Sequence, residues 1–235
     1  MSKVWVIAKR ELKSYFVSPV AYVVVGLFLL ISGYFFSVIV ATSKMADARS
    51  IIMNMSFTFM LMSPLITMRL ISEEKKLGTI EFLFTSPIKV SEIVMGKYLA
   101  AMILFLAMVV ITLQYPLYLI IFGKPDLGPI ITSMLGFLLL GATYLAVGLF
   151  ASSLSENQLI SAIVGMVFLI LLYVIGWAGD TIGGGTGNFI SSLSLMNNQE
   201  NLVKGVFDAG NIFYYLAMIF FFLFITVRRL EWKRW

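Results

Sequence analysis

Seven stretches of this 235-residue chain run for 19 residues or more without a charged side chain, and their placement limits what it can fold into. Six of them are Ser14–Ser43, Ser50–Met68, Tyr98–Gly123, Leu127–Ser155, Asn157–Gly179 and Ala209–Val227. Each can contain the roughly 17–25 apolar residues that cross a bilayer as a helix. The seventh, Thr181–Gln199, carries Gly183-Gly184-Gly185, Asn197-Asn198 and several serines, and is too polar and flexible to span. The expected fold class is therefore all-α integral membrane, one six-span domain over 1–235, with spans near 20–41, 51–70, 96–122, 129–151, 159–179 and 211–228. Composition agrees: 60% hydrophobic and 12% charged residues lie far from the roughly 25% charged of a soluble domain. The first apolar run is too long for a 7–15-residue signal-peptide core and follows a long polar segment, so it reads as an uncleaved anchor.

The remaining charges set an orientation. Lys3, Lys9, Arg10, Lys13, Arg69, Lys75, Lys76, Lys89, Lys97, Arg228, Arg229, Lys233 and Arg234 fall on one side of a six-span layout, which makes 13. Lys44, Arg49, Lys124 and Lys204 fall on the other, which makes four. Basic residues concentrate in cytoplasmic loops, so both termini are expected in the cytoplasm. The net charge of +5 is then a matter of topology. A nucleic-acid surface would need its basic side chains on one soluble face.

The absence of Cys and His excludes disulfides, thiol nucleophiles, Cys/His metal fingers and a Ser-His-Asp triad. Gly96-Lys97 has no Gly five positions earlier, so it is not a G-x-x-x-x-G-K phosphate loop. No cofactor or metal is expected in this chain, and it is not expected to be an enzyme. No Asp, Glu, Lys, Arg or His falls within the charge-free cores, where ion-coupled carriers and proton relays usually place an ionisable group. That argues against a secondary transporter. A path through such spans would be lined by aromatic, Met and hydroxyl side chains, which permits an amphipathic or lipid-linked substrate.

Two segments outside the spans carry more information. Over 3–16, Val4, Trp5, Ala8, Leu12, Tyr15 and Phe16 share one helical face while Lys3, Lys9, Arg10, Lys13 and Ser14 share the other, the pattern of a helix lying at the interface. The alternative is an ordinary cytosolic extension of the first span. Ser18-Pro19 punctuates the turn that follows. In Arg69–Lys97, Lys75 and Lys76 precede Gly78, which predicts a helix end with a left-handed glycine cap. Thr79 can cap a new short helix with Glu81 in its first turn, Pro87 ends it, and Ser91-Glu92 starts the third span. The short helix carries Ile80, Phe82, Leu83 and Phe84. It either docks on a partner or packs on its own bundle and the lipid interface.

Taken together, Glu73-Glu74, Gly78-Thr79-x-Glu81, Pro87, Glu92 and Gly96-Lys97 between the second and third of six spans resemble the membrane subunits of ABC type-2 exporters. The subgroup they are most similar to is the gliding-motility-associated ABC permeases. Tyr15-Phe16-x-Ser18-Pro19, Leu149–Leu154 with Glu156-Asn157-Gln158, and Phe224–Arg228 with Arg234-Trp235 add to the resemblance, which covers nearly the whole chain.

That resemblance implies roles. Thr79–Phe84, within a cytoplasmic segment 71–95, would be the coupling helix docking on a separate ATPase subunit, with Glu73, Glu74, Pro87 and Glu156 around it. Residues 3–16, with Trp5, Arg10, Leu12, Tyr15 and Phe16, would be the interfacial helix. The Ser153–Gln158 turn would be a second contact, and 180–210 a partly re-entrant extracytoplasmic loop. Its glycine cluster and the apolar turns Phe189-Ile190 and Leu193–Met196 are compatible with short helices that dip into the interface, while Gly183–Gly187 could equally be a plain flexible loop. The expected partners are two ABC ATPase subunits carrying ATP and Mg, a second permease copy in a homodimer (or a homologous permease), membrane lipid and an auxiliary extracytoplasmic protein, with no nucleic acid. The expected location is the prokaryotic inner membrane. A non-transporting ABC-type scaffold that drives a mechanical or signalling partner is the alternative. Small residues four apart (Gly33/Ser37, Ala142/Ala146, Gly148/Ser152, Ser161/Gly165) predict close helix contacts. Ser63-Pro64 and Tyr115-Pro116 predict kinks.

Overall fold

The computed structural model of the protein describes residues 2–43, 48–79, 81, 88–123 and 125–232. Eleven helices and no strand are found among them: α1 Lys3–Val17, α2 Pro19–Ser43, α3 Ala48–Thr67, α4 Arg69–Lys76, α5 Val90–Thr112, α6 Gln114–Phe122, α7 Leu127–Leu154, α8 Gln158–Ile182, α9 Gly184–Ser192, α10 Leu195–Val203 and α11 Ala209–Trp232. Most of the short helix expected over Thr79–Phe84, and Pro87, lies outside the described residues.

Among the described residues six helical stretches are long and apolar enough to cross a membrane: Pro19–Thr42, Ala48–Lys76, Val90–Phe122, Leu127–Leu154, Gln158–Ile182 and Ala209–Trp232. The chain is an all-α integral membrane protein. The second and third stretches extend beyond the expected 51–70 and 96–122 toward the same end of the bundle. A charge stops an apolar ruler but does not stop a helix, which runs on past the hydrocarbon with Arg69–Lys76 and Val90–Lys97.

Helix α7 is the hub, with α3, α4, α5, α8, α10 and α11 all packed on it. In its most apolar stretch 72% of residues are buried, against 17% in α2 and 28% in both α8 and α11. With no water to repel in a bilayer, close packing has to hold helices together, and small residues permit it. Gly141 leaves the space that the Phe105 ring occupies, and a side chain there would overlap it. Phe105 in turn stacks on Phe59 at 4.3 Å and meets Phe137 edge-on at 5.4 Å. This aromatic cluster joins α3, α5 and α7 at the core.

Two of the expected small-residue pairs form one three-helix contact. A methyl on Gly165 of α8 would lie 3.3 Å from Ala151 and 3.5 Å from Pro64, and one on Gly148 of α7 would run into Thr67 Oγ1. A methyl on Gly33 would instead lie 3.4 Å from the Tyr115 hydroxyl, while Ser37 Oγ donates back to Gly33 O. The two prolines act locally. Pro64 cannot donate to Met60 O, and Ser63 Oγ donates to that carbonyl at 3.3 Å instead. Near Pro116 the third span divides at Leu113 into α5 and α6.

Candidate functional site

One end of the bundle holds α1, α4, the first turns of α5 and the last turns of α7 and α11, and most of the basic residues. Helix α1 starts with Ser2 Oγ accepting the Trp5 N–H. It ends at Ser18, and Pro19 opens α2 with its ring φ already helical. Its rotation differs from the expected one. The packed face is Ile7, Ala8 and Tyr15, with Val4, Glu11 and Leu12 half-buried, while Trp5 and Phe16 point outward at 44% and 56% exposure. The cause is Gly96 of α5: an added methyl there would sit 2.7 Å from Ile7 Cβ and 2.9 Å from Val4 O. The helix seats itself on that gap, which turns Ile7 and Glu11 inward. Trp5 and Phe16, eleven positions apart, remain aligned on an outer apolar line.

Inward rotation brings four charges together. Arg10 Nη2 donates to Glu74 Oε1 at 2.6 Å and to Glu11 Oε1 at 2.7 Å. Lys97 Nζ lies 3.0 Å from Glu11 Oε1 and 2.9 Å from Glu74 Oε2. Lys97 is 1% exposed and both carboxylates 14%. Two cations and two anions from α1, α4 and α5 thus form a closed set at the point where the three helices meet. Burial alone would raise the Glu11 carboxyl, but Lys97 beside it and the Arg10 hydrogen bond outweigh that and hold it below its ordinary value. The same carboxylates keep Arg10 firmly protonated against the opposing effect of burial. Beside this set, Arg69 donates to Ser14 Oγ at 2.6 Å and lies over the Tyr15 ring. The Tyr15 hydroxyl donates to Ile66 O at 2.8 Å.

Sequence reasoning placed Arg10 and Ser14 on a free polar face and missed Glu11 and Lys97 as partners. Lys97 is the one charge inside the expected third span, and a buried lysine needs a carboxylate. That is the signal by which its role could have been sought.

The second span is joined to α7 by an unusual insertion. Ser152 Oγ accepts from Ile71 N at 3.1 Å and Ser72 N at 3.2 Å, and donates to Met68 O at 2.8 Å. A hydroxyl from α7 therefore stands inside the hydrogen-bond ladder between α3 and α4, a recognised cause of helix bending. Lys75 Nζ donates to Ser153 O, so the turn after α7 also rests on α4. Gly78 follows at φ +69°, in the left-handed region that favours glycine. Thr79 Oγ1 donates to Glu74 O. Glu73 pairs with Arg69 within α4, Glu81 and Glu156 are exposed, and Glu92 accepts the Lys89 N–H at 2.9 Å, starting α5 one residue earlier than expected. Ile80, Phe82, Leu83, Phe84 and Pro87 lie outside the described residues. Among the described residues the structure brings together Arg10, Tyr15 and Glu74 of the expected set, while Trp5, Phe16, Gly78, Thr79, Glu81 and Glu156 stay at the surface.

At the opposite end, residues 180–210 form the helical pair α9–α10 folded onto α7 and α8. Helix α9 begins at Gly183 and Gly184, both at positive φ. Asn198 Nδ2 donates to Ser192 O and Ser194 O at 2.8 Å, and Ser194 Oγ to Tyr173 O at 3.2 Å. Gln199 donates to Ser56 of α3, and Tyr214 and Tyr215 of α11 donate to Leu193 O and Leu195 O. Gly176 lets α10 approach: an added methyl would lie 2.9 Å from Asn197 Nδ2 and Ser194 Oγ.

Six spans with a charged, close-packed assembly of α1, α4 and α5 at one end define a multi-pass membrane protein. The family model described as ABC-2 type transporter matches residues 2–177, three quarters of the chain. The chain belongs to that family: it is the transmembrane subunit of an ABC transporter, a permease component that works with a separate ATPase subunit. No curated protein matches the chain.

Proposed function

We propose that this subunit is the membrane half of an ATP-driven exporter in a prokaryotic inner membrane, pairing as a homodimer and served by two ATPase subunits that bind ATP and Mg. The end holding α1 and α4 is cytoplasmic, as the split of 13 basic residues against four supports. The segment from Glu73 to Pro87 receives the ATPase, with Gly78, Thr79 and Glu81 at its exposed start and Glu156 beside it. The observation that carries this reading is the closed set of Arg10, Glu11, Glu74 and Lys97. It joins the base of the docking segment to the interfacial helix and the third span, so displacement of that segment is felt by three helices at once. Helix packing with two discrete arrangements converts such a push into inward- and outward-facing states.

The test is co-purification with the ATPase subunit of the same transporter. Glu81→Arg is expected to lower recovery of the ATPase at least tenfold while the membrane subunit keeps its unfolding temperature. Full recovery with undiminished ATP hydrolysis would overturn the docking assignment. Hydrolysis in vesicles without any flux would favour a non-transporting scaffold instead.

A further inference from the structure

At the basic end, α7 and α11 part and leave a cleft of about 640 Å³, within the range of small-ligand sites. Phe150, Leu154 and Phe224 form an apolar wall, and Arg228, Arg229 and Glu231 line the last turn of α11. The two arginines differ. Arg228 Nη1 pairs with Glu231 at 3.2 Å, and its guanidinium lies 5.1 Å from the Phe224 ring centre. Arg229 has its Nε–H buried with no acceptor among the described residues. Two cations against one carboxylate leave the cleft with one positive charge in excess, at the level where α11 leaves the apolar layer.

We propose that this cleft binds an anionic phospholipid, its phosphate against Arg229 and Arg228 and one acyl chain along Phe150, Leu154 and Phe224. Charge and shape both favour that occupant. A free phosphate would satisfy the arginines and leave the apolar wall bare. A zwitterionic lipid brings an ammonium that cancels the attraction. Basic pockets between membrane helices on the cytoplasmic side take anionic headgroups for the same reason. The inference goes beyond transport and needs only the spanning topology.

The experiment is native mass spectrometry of the full chain purified in detergent, offered dioleoyl phosphatidylglycerol, dioleoyl phosphatidylcholine or inorganic phosphate. One phosphatidylglycerol is expected to be retained per chain, roughly tenfold over phosphatidylcholine, with no adduct of inorganic phosphate. Joint Arg228→Gln and Arg229→Gln substitution should lower retention about thirtyfold, at around 1 kcal/mol per basic residue near a membrane surface. Glu231→Gln should raise retention severalfold by releasing Arg228, which arginines serving only to hold α11 would not produce. Lys204→Gln, at the other end of the molecule, should change nothing. Equal retention of both lipids overturns the proposal, as does phosphate binding alone. So does an unchanged adduct in Glu231→Gln, the variant that decides if the double variant fails to fold. A change of oligomeric state in the double variant with lipid retention intact would give the cleft to a second copy of the chain, and overturns it too.

Discussion

At the basic end, α1, α4 and α5 are tied by two cations and two carboxylates brought together from positions as far apart as residues 11 and 97. At the opposite end, α9 and α10 are tied to α3, α8 and α11 by Ser, Asn, Gln and Tyr groups that mostly donate to backbone carbonyls. Both ends also depend on a glycine gap, Gly96 under α1 and Gly176 under α10. The chemistry of the polar contacts separates them. Ionic contacts next to water can be traded for hydration, so the joint they make responds to salt, pH and a charged partner. Neutral hydrogen bonds to fixed carbonyls are short-ranged and directional, and they define a position without answering to charge.

The largest effect is expected from Lys97→Ala, which leaves Glu11 and Glu74 partly buried with only Arg10 to balance them. Removing one partner of such a set costs about 3 kcal/mol, read as a lower unfolding temperature in detergent. Replacing all four members (Arg10→Met, Glu11→Leu, Glu74→Leu, Lys97→Met) should restore most of that stability yet leave ATP hydrolysis uncoupled from flux. Restored coupling would reduce the set to a packing device. Gly176→Ala comes next, at about 1–3 kcal/mol of overpacking against Asn197 and Ser194. Its penalty should be the same at low and high salt, whereas that of Lys97→Ala should vary.

A smaller, graded effect is expected with pH. Lys97 and Arg10 hold Glu11 below its ordinary value of 4.5 although burial opposes them. The stabilisation is therefore complete above that value and is lost as the pH falls through the lowered one. Fluorescence of a variant with Trp5 as its only tryptophan should report α1 loosening over that acid range, while hydrogen bonds at the α9–α10 end persist. The smallest loss of stability is expected for Ser152→Ala, under about 1 kcal/mol, because Ile71, Ser72 and Met68 can rejoin their own helix ladder. Slower amide exchange at Ile71 and Ser72 would show the ladder rejoined, and a fall in flux per ATP would show what the inserted hydroxyl does.

The spans were legible because a membrane interior rejects charge, so charge spacing alone divided the chain. The Lys75-Lys76-x-Gly78 helix end and the contacts around Gly148 and Gly165 were legible as well, since each follows from local rules. The charged joint was not. Glu11 and Lys97 are 86 positions apart, and only the turn of α1 onto Gly96 makes them neighbours. The α9–α10 pair was half-legible: short helices around Phe189-Ile190 and Leu193–Met196 were one reading and a flexible glycine loop the other, and Gly183 and Gly184 start a helix rather than interrupt one. Trp5 and Phe16 were expected to share one face with Ala8 and Tyr15, although α1 has two apolar sides, one for the bundle and one turned outward.

The Ser152 insertion also has a mechanical meaning. The break at Met68 divides the second span into arms of unequal length: α4, with 8 residues, is about 12 Å long, and α3, with 20, is about 30 Å. A rigid tilt about that pivot multiplies travel by about 2.5 and divides force by the same factor. Spin labels at Ser50 and Lys76, about 27 and 12 Å from Met68, should move in a ratio of about 2.2 when ATP is added, and equal movement would mean the span shifts as one rod. A lever geared this way asks its long end to yield under light loads. Single neutral hydrogen bonds such as the one between Gln199 and Ser56, each worth about 1 kcal/mol, are the kind of restraint such a long arm can break and remake.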